Sequence, residues 1–174
     1  MIRGFLEIIQ DTRPDCVVLR GRCYENESAP YKGLDQLIDR LAVFLKGLGA
    51  LRVESLLPAH FPTLARMFPV LQQFAGTGPR GEAGAIEQKQ RAFDCLRELL
   101  ARVARSAPLV LWIDDLQWCD PDTIQFLKGL ARSADPFKCL VLLSYRDDAL
   151  HSSPDLRDLE AIGDGGPMRS IRQG

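Results

Sequence analysis

The 174 residues lack an excess of either charge, a long apolar run, paired cysteines and grouped histidines. Lysine plus arginine number 22 against 23 for aspartate plus glutamate, so there is no general electrostatic attraction to nucleic acid or to an anionic membrane, and any anion site must be local. The longest apolar stretches, residues 109–113 and 139–143, fall far short of the ~20 residues that span a bilayer. Residues 1–10 carry Arg3 and Glu7 and no long apolar block, which is unlike a secretory signal, so the expected compartment is the cytoplasm. The five cysteines are odd in number and include no C-x-x-C pair. They read as reduced packing residues, with Cys119 the least typical because it follows a pair of acids. His60 and His151 stand alone, without neighbours at zinc-ligand spacing.

What is present is the balance of a soluble globular domain, 46% hydrophobic and 26% charged, in one domain of ordinary length over residues 1–174. Ile2, Phe5, Leu6, Ile8 and Ile9 recur at helical spacing and predict an opening helix that stops near Pro14. CVVL at 16–19 reads as a β-branched strand and the polar residues 20–28 as the loop leaving it. Leu34, Leu37, Ile38, Leu41, Phe44, Leu45 and Leu48 mark an amphipathic helix, with Gly47 and Gly49 near its stop. Pro58, Pro62 and Pro69 divide residues 56–74 into short helical pieces, and GTGPRGEAG at 76–84 reads as a surface connector. A second long helix follows at 86–105, then a strand at 109–113. Asp120 and Pro121 look like the cap and first residue of a third helix running through Ile124, Phe126, Leu127 and Leu130. A buried strand at 139–144, a short helix at 155–162, a Gly-Gly-Pro turn and a terminal strand at 168–172 complete the pattern. Strands alternating with helices predict an α/β domain with a mostly parallel sheet.

The stretch LVLWIDDLQWCD, residues 109–120, is the most informative. A strand of five apolar residues that ends abruptly in Asp114 and Asp115 places two carboxylates where a parallel sheet opens into its ligand crevice. There one aspartate can hold hydrated Mg²⁺ and the next acidic group can orient a water, so the segment reads as a Walker B strand. The bland alternative is a pair of solvated acids capping the next helix. The apolar strand at 139–144 leads to Tyr145 and Arg146. If the two strands are neighbours, Arg146 emerges beside the carboxylates, either to contact a terminal phosphate or to form a structural ion pair with Asp114, Asp115 or Asp147. No G-x-x-x-x-G-K-[ST] phosphate loop occurs among the 174 residues, and the GTGPRG run at 76–81 lacks the Lys and the Ser or Thr.

LVLWIDDLQWCDPDTIQFLKGL followed by LVLLSYRDD resembles the ATPase module of bacterial signal-transduction STAND proteins of the AAA superfamily, and CVVLRGRCYENESAPYKGLDQLID and LARMFPVL are similar to it as well. The resemblance covers nearly the whole chain. It implies an α/β fold with a three-layer parallel sheet of P-loop NTPase type, ATP and Mg²⁺ as ligands, and kinase or regulator domains fused or associated; the near-neutral charge and short apolar runs leave neither membrane nor nucleic acid as an expected partner. It also implies that Asp114 holds Mg²⁺, that Asp115 polarises the attacking water and that Arg146 acts as sensor. Tyr24 and Glu25 lie in the matching loop after the second strand of that fold, without an assigned role. Relative to the family pattern, the first strand, the phosphate loop and the helical lid are missing from these residues, so the expectation is an incomplete domain.

Micromolar ATP binding is worth about 8 kcal/mol, and each charge-assisted hydrogen bond contributes about 1.5–3 kcal/mol. Without a loop of amides and its lysine, weak or absent ATPase activity is expected. The alternative is a non-catalytic protein-interaction module that retains the fold.

Overall fold

The computed structural model describes residues 2–25, 31–76, 84–133 and 137–164. The strand expected at 168–172, most of the connector at 76–84 and the end of the loop at 20–28 lie outside these residues. Two compact units emerge, one spanning residues 1–18 and 38–109, the other residues 19–37 and 110–174.

The first unit is helical. α1 (Ile2–Thr12) buries Leu6 and leaves Phe5 and Ile8 exposed. α3 (Ala50–Leu56) and α4 (Phe61–Met67) are short because prolines punctuate them. Pro62 sits in the first turn of α4, where a missing N–H costs nothing, and Pro69 opens the 3-10 turn that follows. α5 (Ala85–Ser106) packs on α3 and α4. Its Phe93, Leu96, Leu99, Leu100 and Val103 recur every three or four residues and are all buried, the stripe read from the sequence. Arg102 lies along this helix, donates to Glu98 at 2.7 Å, and reaches across to the Leu57 carbonyl at 2.9 Å, satisfying a group that the end of α3 leaves open.

The second unit holds most of the sheet. β1 (Val17–Arg22), β2 (Leu109–Asp114) and β3 (Cys139–Leu143) form a three-stranded sheet in the order β1-β2-β3. The Val17 amide donates to the Pro108 carbonyl and the Cys23 amide to the Asp114 carbonyl, so both chains advance together and the pair is parallel. Ser144 donates its N–H to Ile113 and accepts from Leu116, the same slanted pattern between β2 and β3. β2 is central, which is why its five apolar residues are all buried, whereas β3, with one neighbour among the described strands, is half-exposed.

β1 reaches three residues beyond the expected end at Leu19. Val17, Leu19 and Gly21 are buried while Arg20 and Arg22 point outward, so a strand with one wet face ended in residues that look like a loop. α2 (Lys32–Lys46) follows. Gly21 meets its first turn so closely that an added Cβ would lie 2.6 Å from the Gly33 carbonyl oxygen. α6 (Pro121–Ala131) begins where expected, with Asp120 as its cap. α7 (Asp147–Ser152) is too short to show a period in the sequence. α8 (Pro154–Asp164) packs on α6 and α7, and Lys128 of α6 pairs with Asp155 and Asp158.

Candidate functional site

The carboxyl ends of the three strands carry a hydrogen-bonded group of polar side chains within the second unit. Asp114 is the last residue of β2 and is half-buried. Ser144, just past β3, donates its hydroxyl to Asp114 Oδ1 at 2.6 Å, and the Trp112 indole donates to the same hydroxyl at 3.2 Å. The Asp114 carboxylate is therefore oriented by the neighbouring strand rather than left to rotate.

Asp115 terminates the strand by turning left-handed, with φ 56° and ψ 44°. Aspartate is among the few residues that tolerate this region, and the turn sends its carboxylate away from the line of β2. Arg22 donates to Asp115 Oδ2 from both Nε and Nη2, each at 2.7 Å. The pair is partly exposed, so its net contribution is that of a screened surface bridge. The Arg22 guanidinium also lies over the Tyr24 ring, 5.4 Å from its centroid. On the other carboxylate oxygen, Gln117 donates to Asp115 Oδ1 at 3.3 Å.

Of the three residues singled out from the sequence, Asp114 and Asp115 fall in this group. Arg146 joins it through its backbone, its N–H donating to Gln117 Oε1 at 3.3 Å. The guanidinium of Arg146 is paired instead with Asp148, at 3.2 and 3.0 Å, and both side chains are well exposed. Arg22, Gln117 and Ser144 were not singled out. Ser144 stood at the end of an apolar run, which was a usable signal; Arg22 is 93 residues from its partner and had none.

A second cluster surrounds the start of α6. Asp120 caps α6 by accepting from the Thr123 amide at 2.9 Å, takes the Thr123 hydroxyl at 2.7 Å, and receives the Gly33 amide of α2 at 3.4 Å. Gly33 fits there because its missing Cβ would meet Thr123, Cys119 and Cys23 at 2.8–3.1 Å. The cysteines form no disulfides. Contact with the Cys23 thiol, together with burial, pushes the Cys119 thiol above its ordinary value, and burial pushes Cys95 and Cys139 up to about 12. Protonated, enclosed thiols of this kind are packing groups. Replacing Asp120 by alanine removes a helix cap and strands the fully buried Thr123 hydroxyl. The expected loss of folding stability is about 2 kcal/mol by urea denaturation; a loss below about 0.5 kcal/mol would contradict this account of the cap.

Residues 1–143 match the family model of the AAA ATPase domain. The chain belongs to this family. No curated protein and no solved structure gives a significant match. Membership makes the AAA domain a nucleotide-binding ATPase module, a class that usually works with Mg²⁺. Among the described residues no helix is long and apolar enough to cross a membrane.

The donor set fits Mg²⁺. Among the described residues no cluster of three or more His, Cys, Asp or Glu side chains forms that could enclose a metal. Magnesium rarely requires one, since it is commonly bound through one or two carboxylates, with water and phosphate oxygens supplying the rest. A half-buried carboxylate oriented by a serine hydroxyl, as Asp114 is, has the chemistry such a ligand requires.

Proposed function

We propose that the AAA domain is the STAND-type nucleotide switch of a cytoplasmic signal-transduction regulator, with β2 as its Walker B strand. Asp114 would hold Mg²⁺, Asp115 would polarise the water that attacks the terminal phosphate, and Arg146 would sense that phosphate. Bound Mg²⁺ supplies charge neutralisation between the phosphates. The residues of this chain orient, position and poise. Ser144 fixes the Asp114 carboxylate, Arg22 and Gln117 hold Asp115 from its two oxygens, and the Arg146 side chain leaves Asp148 to reach a phosphate. Kinase or regulator domains, fused or associated, would read the state of the switch.

The observation that carries this reading is Asp114 itself: a half-buried carboxylate at the tip of a buried central strand, oriented from the next strand, in a chain that matches an AAA ATPase domain. Because no G-x-x-x-x-G-K-[ST] loop occurs in the 174 residues, they are expected to bind ATP weakly, with Kd above about 1 mM. Joining them to an added upstream strand and such a loop is expected to confer micromolar affinity and phosphate release. Asp114→Asn is then expected to lower that release by about 100-fold or more. Nucleotide affinity and phosphate release measured on both forms check this. Equal, absent binding in the two would sink the reading and leave the non-catalytic interaction module.

A further inference from the structure

We propose that Gln117 is a positioning residue that couples the Asp115 carboxylate to the turn carrying Arg146, an inference that rests on the catalytic reading of Asp115 and Arg146 given above. The Gln117 amide faces two different partners. Its nitrogen donates to Asp115 Oδ1 and its oxygen accepts the Arg146 backbone N–H, both at 3.3 Å. Only a group with a donor at one end and an acceptor at the other satisfies a carboxylate and an amide N–H together. A carboxylate at position 117 would meet Asp115 with like charge, and an aliphatic side chain would meet neither.

The surrounding frame makes the bridge more than a structural tie. The turns after β2 and β3 are already joined by backbone hydrogen bonds, Leu116 to Ser144 at 2.9 Å and Ser144 to Ile113 at 3.1 Å, and by Ser144 on Asp114. Their relative placement therefore does not depend on Gln117. What depends on it is the orientation of one carboxylate, whose other oxygen is held by Arg22, and the partner of an N–H at the start of α7. A shift of the Arg146 backbone pulls on the amide, and the amide turns the carboxylate. Recognition of a terminal phosphate at Arg146 would be felt at the water-polarising group along this two-bond path.

Nuclear magnetic resonance on the chain without nucleotide tests the coupling. In Gln117→Ala, hydrogen exchange at the Arg146 amide is expected to rise about fivefold and the Asp115 carboxyl resonance to move. The Leu116 and Ser144 amides keep their protection, which separates the effect from unfolding. In Gln117→Glu an acceptor for the Arg146 amide remains, so its exchange is retained while the Asp115 resonance moves further. An Asp115 resonance indifferent to both substitutions, or an Arg146 exchange rate unchanged in Gln117→Ala, overturns the proposal. A second arm measures ATP turnover of the chain joined to an added upstream strand and phosphate loop. Gln117→Ala is expected to lower kcat about tenfold with KM nearly constant, as loss of positioning does. An unchanged kcat beside altered resonances also overturns it. If the unsubstituted protein releases no phosphate, the catalytic reading has failed, and the resonance arm still decides whether Gln117 links the two turns.

Discussion

Truncating Phe126 to alanine is expected to destabilise the protein by about 4 kcal/mol, a large share of the 5–15 kcal/mol that holds a typical domain together. Phe126 lies on the inner face of α6, fully buried beside Ile124 and Leu127 in sequence, on the helix that packs against α8. Removing the ring loses its transfer free energy and leaves a cavity beneath α6, a helix held at its start by the Asp120 cap and near its end by Lys128 on α8. A helix so held moves little into the space, so the cavity cost persists. The urea midpoint and slope report the change, and Phe5→Ala on the exposed face of α1 serves as a contrast expected to cost below about 1 kcal/mol. A Phe126→Ala loss below about 1.5 kcal/mol would mean that α6 is not packed as described.

Two glycine substitutions should act with opposite sign. Gly21→Ala is expected to cost about 3 kcal/mol, at the upper end for overpacking, because the new methyl would lie 2.6 Å from the Gly33 carbonyl oxygen. That oxygen is main chain and cannot swing aside. Moving it displaces the first turn of α2, where the Gly33 amide is held by Asp120 and the residue is hemmed in by Thr123, Cys119 and Cys23. Gly4→Ala, in α1, would place its new methyl with nothing within 4 Å, and is instead expected to stabilise by up to about 1 kcal/mol through helix propensity. Thermal and urea melts of the two variants decide the matter; similar effects from both would sink the claim that β1 and α2 meet main chain to main chain.

Most of the fold was legible where burial is two-sided or periodic. β2 announced itself by five consecutive apolar residues, because a central parallel strand has no wet face to break the run, and α5 by its stripe. The start of α6 was legible because Asp120 and Pro121 each meet a local chemical demand of a helix N-terminus. The sequence pattern ends β1 three residues early because its exposed face is arginine and its buried face ends in glycine, a combination that locally looks like a loop. The acidic half of the candidate site could be read for the same reason as β2. The residues that hold those acids could not, since Arg22 and Ser144 reach them only through strand adjacency, a property of the sheet rather than of any segment. Arg146 was close in sequence to the right place, but whether its guanidinium faces inward or toward Asp148 is a rotamer choice that no pattern encodes.

The left-handed backbone at residue 115 narrows the side chains that can stand there. Asparagine keeps the shape and gives up the charge, glycine keeps the turn and gives up the carboxylate, and glutamate gains a methylene of reach but must accept a conformation that longer side chains rarely adopt. Attempts to retune this position by lengthening its acid therefore trade chemistry against geometry. Shortening the distance from the opposite side, by redesigning Arg22 or Gln117, leaves the turn intact.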